Sequence, residues 1–276
     1  MTEKSISLER TKYDDGRARH SVRAVRCNDL PGAWNHLFTP AGQCEVAKIL
    51  NAWSGVRERI FIWDYNVNFS HYLAPMPNLD VIAANIRFWI SNHVEGVMLQ
   101  GGYQGPAERD ELKSWVASKL LWNPSWDEKA LTQDFIWGHY GKAAPALGNY
   151  KALLNQMRVD FAEQMASPKG GIRYPMDAPF ISKEFVKRAP EIFGRAKKLA
   201  KNDEALTRRV ERAELPILYV KCVRGPEFVG DNYAQVVGDF ERIARREKLQ
   251  HLQEGAPDFE TKLAEYKSRI PKPVAR

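Results

Sequence analysis

A chain of 276 residues with 44% hydrophobic and 27% charged side chains has a globular composition, which excludes disordered, collagen-like and coiled-coil classes for most of its length. No apolar run approaches the roughly 20 residues of a membrane span, the first 20 residues contain no apolar stretch of a secretory signal, and three cysteines, Cys27, Cys44 and Cys222, are too few for a disulfide scaffold. The formal charge of +7 is uneven: residues 1–150 hold 16 basic and 16 acidic side chains, leaving 25 of the 41 basic and 18 of the 34 acidic ones in residues 151–276, whereas all eight tryptophans lie between Trp34 and Trp137. A neutral, Trp-rich front and a basic, Trp-free back predict two regions with different tasks.

His20–Cys27 reads as a short strand, and a loop with Pro31, Gly32, Pro40 and Gly42 follows. Glu45–Trp53 spaces Val46, Ile49, Leu50 and Trp53 as one helix face. Arg59–Tyr65 (RIFIWDY) and Val94–Gln100 (VEGVMLQ) read as strands buried on both sides. Between them Leu79, Ile82, Ile86, Trp89 and Ile90 form a helical stripe that Asn78 or Asp80 would cap. Strand, helix, strand, helix, strand is the order of βαβ units, with parallel strands and outer helices. Function in such folds collects at the carboxyl ends of the strands.

Beyond Tyr103 the periodicity is helical. Pro106–Leu121, Asp127–Tyr140 (closed by Gly141) and Ala143–Asp160 come first. Ser167–Pro179, rich in Gly and Pro, reads as a linker. Four more helices follow at Ser182–Leu199, Ala205–Val223 (with a kink expected at Pro216), Val229–His251 and Phe259–Ile270.

The strand ends carry Trp63, Asp64, Tyr65, Asn66 and Asn68 on one side and Gln100 and Tyr103 on the other. Aromatic rings suit stacking on sugar rings or bases, and the amides and carboxylate supply the convergent hydrogen bonds a polyol needs. The plainer alternative is that Trp63 is core and Asp64 caps a loop. Gly101-Gly102 lacks a phosphate-loop pattern and reads as a turn needing positive φ. His71 and His93 have no second ligand at metal spacing, and no cysteine pair has C-x-x-C spacing, so neither metal nor cofactor is expected. Cys27 and Cys44 would bridge in an oxidising compartment or remain free thiols. Arg208, Arg209, Arg242, Arg245, Arg246 and Lys248 alternate with acids, as on a solvated helix face, so no nucleic-acid partner is expected.

The runs Ile60–Phe69, Tyr72–Asn78 and Gly96–Gly101, the helix Leu112–Pro124 (LKSWVASKLLWNP) and Phe135–Ala144 (FIWGHYGKAA) together resemble a bacterial family known as domain of unknown function 4838. That family is grouped with glycoside hydrolases of the TIM-barrel superfamily, and some relatives are endo-β-N-acetylglucosaminidases. The LLWNP helix is also similar to the post-barrel helical domain of α-glucuronidases. The resemblance covers about residues 20–155. It implies an α/β region followed by an all-α one: the last three strand–helix units of a (β/α)8 barrel, incomplete here, plus an α-helical domain. The expected organisation is a tail over 1–19, a partial barrel over 20–104, post-barrel helices over 105–165 and a helical region over 166–276.

The resemblance further implies a carbohydrate ligand, with no metal or cofactor, and the seven strand-end residues forming one wall of a site for glycosidic hydrolysis next to N-acetylglucosamine. Barrel hydrolases commonly carry their acid/base pair on earlier strands, for which this chain has no matching positions, and two carboxylates must flank the bond. The chain is therefore expected to be inactive alone. The alternatives are a non-catalytic carbohydrate-binding or scaffold remnant, or a subunit completed by an upstream chain or by a second copy. Relatives are usually secreted or periplasmic, which the absence of a signal in the chain as written leaves open.

Overall fold

The computed structural model describes residues 45–55, 59–103, 105–161, 164, 173–230, 232–255 and 257–271. The expected strand His20–Cys27 and the Cys27–Cys44 question lie outside these residues.

The front follows the expected alternation. Helix α1 spans Glu45–Ser54, strand β1 Ile60–Tyr65, helix α2 Leu79–Ser91 and strand β2 Val94–Gln100. The strands pair in parallel, with Ile62 opposite Val97, Trp63 opposite Met98, Asp64 opposite Leu99 and Tyr65 opposite Gln100. A parallel pair requires a crossover, which α2 supplies. Helix α3, Asp110–Trp122, lies beside α2. Leu79, Ile82, Ile86 and Trp89 of α2 and Leu112, Val116 and Leu120 of α3 pack with Ile60, Ile62 and Leu50 into one core.

Several front expectations need correction. Neither strand is buried on both sides: Phe61 is 38% exposed and Met98 50% exposed. The helices cover the face that holds Ile62 and Val97, and the alternation of a strand turns Phe61, Trp63 and Tyr65 the other way. Ile90 is exposed rather than part of the buried stripe, because one residue past Trp89 is a 100° turn of the helix. Asn78 sits at the start of α2 but makes no side-chain cap; its amide donates instead to the Asn66 carbonyl at 3.2 Å. Helix α3 begins at Asp110, not Pro106, because Arg109 before it adopts a left-handed conformation.

The back is helical. Helix α4 is Glu128–Tyr140, and α5 is Ala144–Asp160 after one 3-10 turn. Helices α6 (Lys183–Ala200), α7 (Glu204–Arg224), α8 (Pro226–Val229), α9 (Tyr233–Arg246) and α10 (Phe259–Ser268) follow. Side chains of Asp127, Ser182, Asp203 and Asp258 accept backbone N–H groups at the starts of α4, α6, α7 and α10, which satisfies donors that a helix leaves unpaired. The run expected as one helix over 229–251 is divided: Gly230 (φ 84°) separates α8 from α9, and Lys248 (φ 55°) follows the end of α9. Helix α7 continues through Pro216, which is buried.

Residues 173–179, expected as linker, are packed. Tyr174, Met176, Ala178 and Phe180 are buried while Arg173, Pro175, Asp177 and Pro179 are exposed, an alternation that composition alone concealed. These residues join Phe185, Phe193, Tyr219, Phe240 and Tyr266 in a second, larger core. On its surface the basic side chains of α7 and α9 meet acids: Arg242 with Glu211, Arg208 with Glu247 and Arg245 with Glu241 and Glu260. No helix among the described residues is long and apolar enough to cross a membrane.

A buried charged knot lies at the start of α3, against the loop that carries Met76 into the larger core. The Lys113 ammonium and the Glu108 carboxylate are both fully buried and 2.7 Å apart. Lys113 also donates to the Asn66 carbonyl at 2.8 Å, and Arg109 pairs with Glu108 and donates to the Met76 carbonyl at 2.8 Å. Burial drives the Lys113 ammonium well below its ordinary range, opposed by the Glu108 charge. Each member is hydrogen-bonded, the condition under which ions are tolerated in an interior.

Candidate functional site

Register fixes which strand residues share the open face. Phe61, Trp63 and Tyr65 stand there with Gly96, Met98 and Gln100 across from them. The Phe61 ring lies so close over Gly96 that a Cβ there would fall 2.6 Å from it. The Trp63 indole N–H donates to the Gln100 side-chain oxygen at 2.7 Å, which fixes the ring and the amide against each other and engages the amide through its oxygen, leaving its NH2 group as the donor end. Tyr65 meets Phe69 edge to face at 4.8 Å, and Phe69 meets Tyr72 in the same way at 5.6 Å. Phe69 and Tyr72 are themselves buried, so the ring contacts continue beneath the surface past the carboxyl end of β1 and anchor Tyr65 there.

The other expected residues serve different surroundings. Asp64 is buried on the helix-facing side of β1. Asn66 is buried, its backbone N–H donating to the Gln100 carbonyl at 3.1 Å and its own carbonyl receiving Lys113 and Asn78. Asn68 is fully buried; its side chain accepts from Ser70 N at 2.9 Å and donates to the Tyr174 carbonyl at 2.7 Å. Tyr103, 56% exposed, lies at the end of β2. The structure thus brings Trp63, Tyr65 and Gln100 together on the open face, with Tyr103 at the end of the neighbouring strand, and sets Asp64, Asn66 and Asn68 behind them. The turn at Gly101-Gly102 does not use positive φ as expected. At Gly102 the need is space, since a Cβ would meet that of Ala107 at 2.9 Å.

Residues 20–152 match the family described as Domain of unknown function (DUF4838). The DUF4838 segment contains both described strands and ends inside α5. No curated protein and no solved structure matches the chain.

Three residues beyond the DUF4838 segment reach the strand ends and escaped sequence reasoning. Arg173 and Glu254 form an ion pair, and the Arg173 guanidinium lies 5.9 Å from the centre of the Phe69 ring. His251 faces Tyr103 with ring centres 5.5 Å apart. Burial, and then the charge of Glu254, raise the Tyr72 hydroxyl above its ordinary value. His71, in the loop after β1, bonds through Nδ1 to the Tyr219 hydroxyl of α7 at 2.8 Å. Burial, assisted by Lys262 of α10, lowers its imidazole to about 4, so it is neutral at pH 7.

A separate groove of about 350 Å³ lies between α5 and α6, lined by Asn149, Gln156, Arg188, Glu191 and Arg195. These polar side chains are largely solvated, and the groove is built from helices that do not contribute to the strand ends. The strand-end cluster, with its fixed rings and amide, is the better candidate for recognition.

Proposed function

We propose that the front of this chain forms one wall of a carbohydrate site in a glycoside-hydrolase-like protein, its strand–helix units belonging to a (β/α)8 barrel that this chain supplies only in part. The observation that carries the reading is the Trp63–Gln100 pair beside Tyr65 on an open sheet face. Flat rings with a polar tip stack on the C–H faces of sugars, and a held amide beside them reads a hydroxyl or an N-acetyl group. Trp63, Tyr65, Gln100 and Tyr103 would touch the sugar. Asp64, Asn66 and Asn68 would hold the strand end in shape behind them.

The six residues that register puts on the open face include no carboxylate, which favours a binding wall over a hydrolytic centre. Glycosidic hydrolysis needs a proton donor and a second group opposite it. In this reading both come from elsewhere, so the wall binds and orients a glycan containing N-acetylglucosamine.

Calorimetric titration with an N-acetylglucosamine trisaccharide tests the proposal. Trp63→Ala should weaken binding by about 1–3 kcal/mol, the scale of a buried aromatic surface. Equal affinity of the variant and the parent would refute the assignment.

A further inference from the structure

We infer that the segment Lys248–Gly255, between α9 and α10, is a second wall of this site and that Glu254 is the carboxylate through which it holds sugar hydroxyls. The inference rests on the carbohydrate reading above and adds to it a region outside the DUF4838 segment.

The segment is a fixed ledge. Tyr72 N–H donates to the Leu252 carbonyl at 2.8 Å, and Glu254 N–H donates to the Phe69 carbonyl at 2.9 Å. Phe259 N–H closes the base onto the Gln250 carbonyl at 3.0 Å. Leu249 and Leu252 are buried beneath it. Lys248 (φ 55°) and Gly255 (φ 76°) bracket it in the left-handed region, so the chain enters and leaves through sharp turns. With the leucines inward, His251 and Glu254 stand partly or fully in solvent.

Two features of the ledge point to a ligand. The first is His251 Nδ1, which is shielded from solvent and has no hydrogen-bond partner among the described residues. Native folds rarely leave such an atom unpaired without a use for it. The second is continuity with the aromatic wall. Tyr65 touches Phe69, Phe69 lies under the Arg173 guanidinium, and Arg173 holds Glu254. Phe69 is buried, so this path runs beneath the surface as a support and emerges at an accessible, oriented carboxylate. An ionised carboxylate accepts two hydrogen bonds at once from adjacent hydroxyls, and charge-assisted bonds of this kind are the strong ones. The same charge disfavours uronates, which makes neutral sugars with free vicinal hydroxyls the class this wall would select.

Hydrogen exchange of the unaltered chain, with and without a saturating N-acetylglucosamine trisaccharide, needs no variant. Slowed exchange in both 61–72 and 249–255 is the expected result. Slowing confined to 61–103 would overturn the second wall while leaving the aromatic wall intact, and no binding at all would overturn both. Glu254→Gln provides the independent reading. Its ion pair is half exposed, so the fold should tolerate the change, and affinity should fall at least fivefold with an unchanged melting temperature. Affinity equal to that of the parent would contradict the role given to Glu254.

Discussion

In the helical region Phe185, Phe193, Phe240, Tyr233 and Tyr266 are all buried, whereas in the βα region the strand residues Phe61 and Met98 face outward. The contrast follows from how each element satisfies itself. A helix closes its backbone hydrogen bonds internally and needs only a partner for its apolar stripe, which a ring of other helices provides. A strand must find neighbours for its backbone and cover for two faces. Among the described residues β1 and β2 pair only with each other, and helices cover one face alone. Apolar surface that stays exposed in a fold otherwise able to bury it marks a place for something else to sit.

The comparison can be broken most forcefully where the regions join. Removing one partner of the buried pair, as in Glu108→Ala, strands Lys113 and Arg109 without a counter-charge and should destabilise the chain by about 3–5 kcal/mol. Chemical unfolding followed by both circular dichroism and tryptophan fluorescence should shift together, since the knot serves both regions. A shift in fluorescence alone would show that the front is held independently.

Matched truncations sharpen the contrast within the two cores. Phe240→Ala should cost about 3–5 kcal/mol, as for a fully buried aromatic side chain. Phe61→Ser on the open face should stay within about 0.5 kcal/mol. Urea midpoints of the two variants give the answer, and similar losses would mean that the sheet face is covered after all.

A smaller effect is expected from acid. His71 lies at about 4 in the folded chain against an ordinary 6.5, so the unfolded chain takes up the proton first. Its contribution is complete above pH 6.5 and is lost as pH falls toward 4, by roughly 2–3 kcal/mol. The difference in stability between the parent and His71→Gln should therefore narrow or reverse between pH 7 and 4; a constant difference would exclude this residue as the source.

Elements with strong local rules were legible in the amino-acid sequence. Most of the described helices follow from a 3.6-residue period and both strands from short apolar runs, whereas α8 and the break after it were not legible, and Asp127 and Gly141 bound α4 as helix-end chemistry requires. A strand's period of two, applied within β1, separates Asp64 from Trp63 and Tyr65. The packed stretch 173–179 was hidden because its prolines and polar residues occupy the alternate, exposed positions. Arg173, His251 and Glu254 could not be read at all. They lie more than 60 residues beyond the last strand and reach the strand ends only through the packing of the helical region.

The carbohydrate wall is tested most directly by a thermal melt of the whole chain, followed by tryptophan fluorescence, with and without the N-acetylglucosamine trisaccharide. Seven of the eight tryptophans precede α4, so the signal reports mainly on the front. Ligand at 100 times its dissociation constant adds about 2.7 kcal/mol to the folded state, and the transition should move upward accordingly. A transition that the sugar leaves in place would contradict the presence of a binding wall on this face.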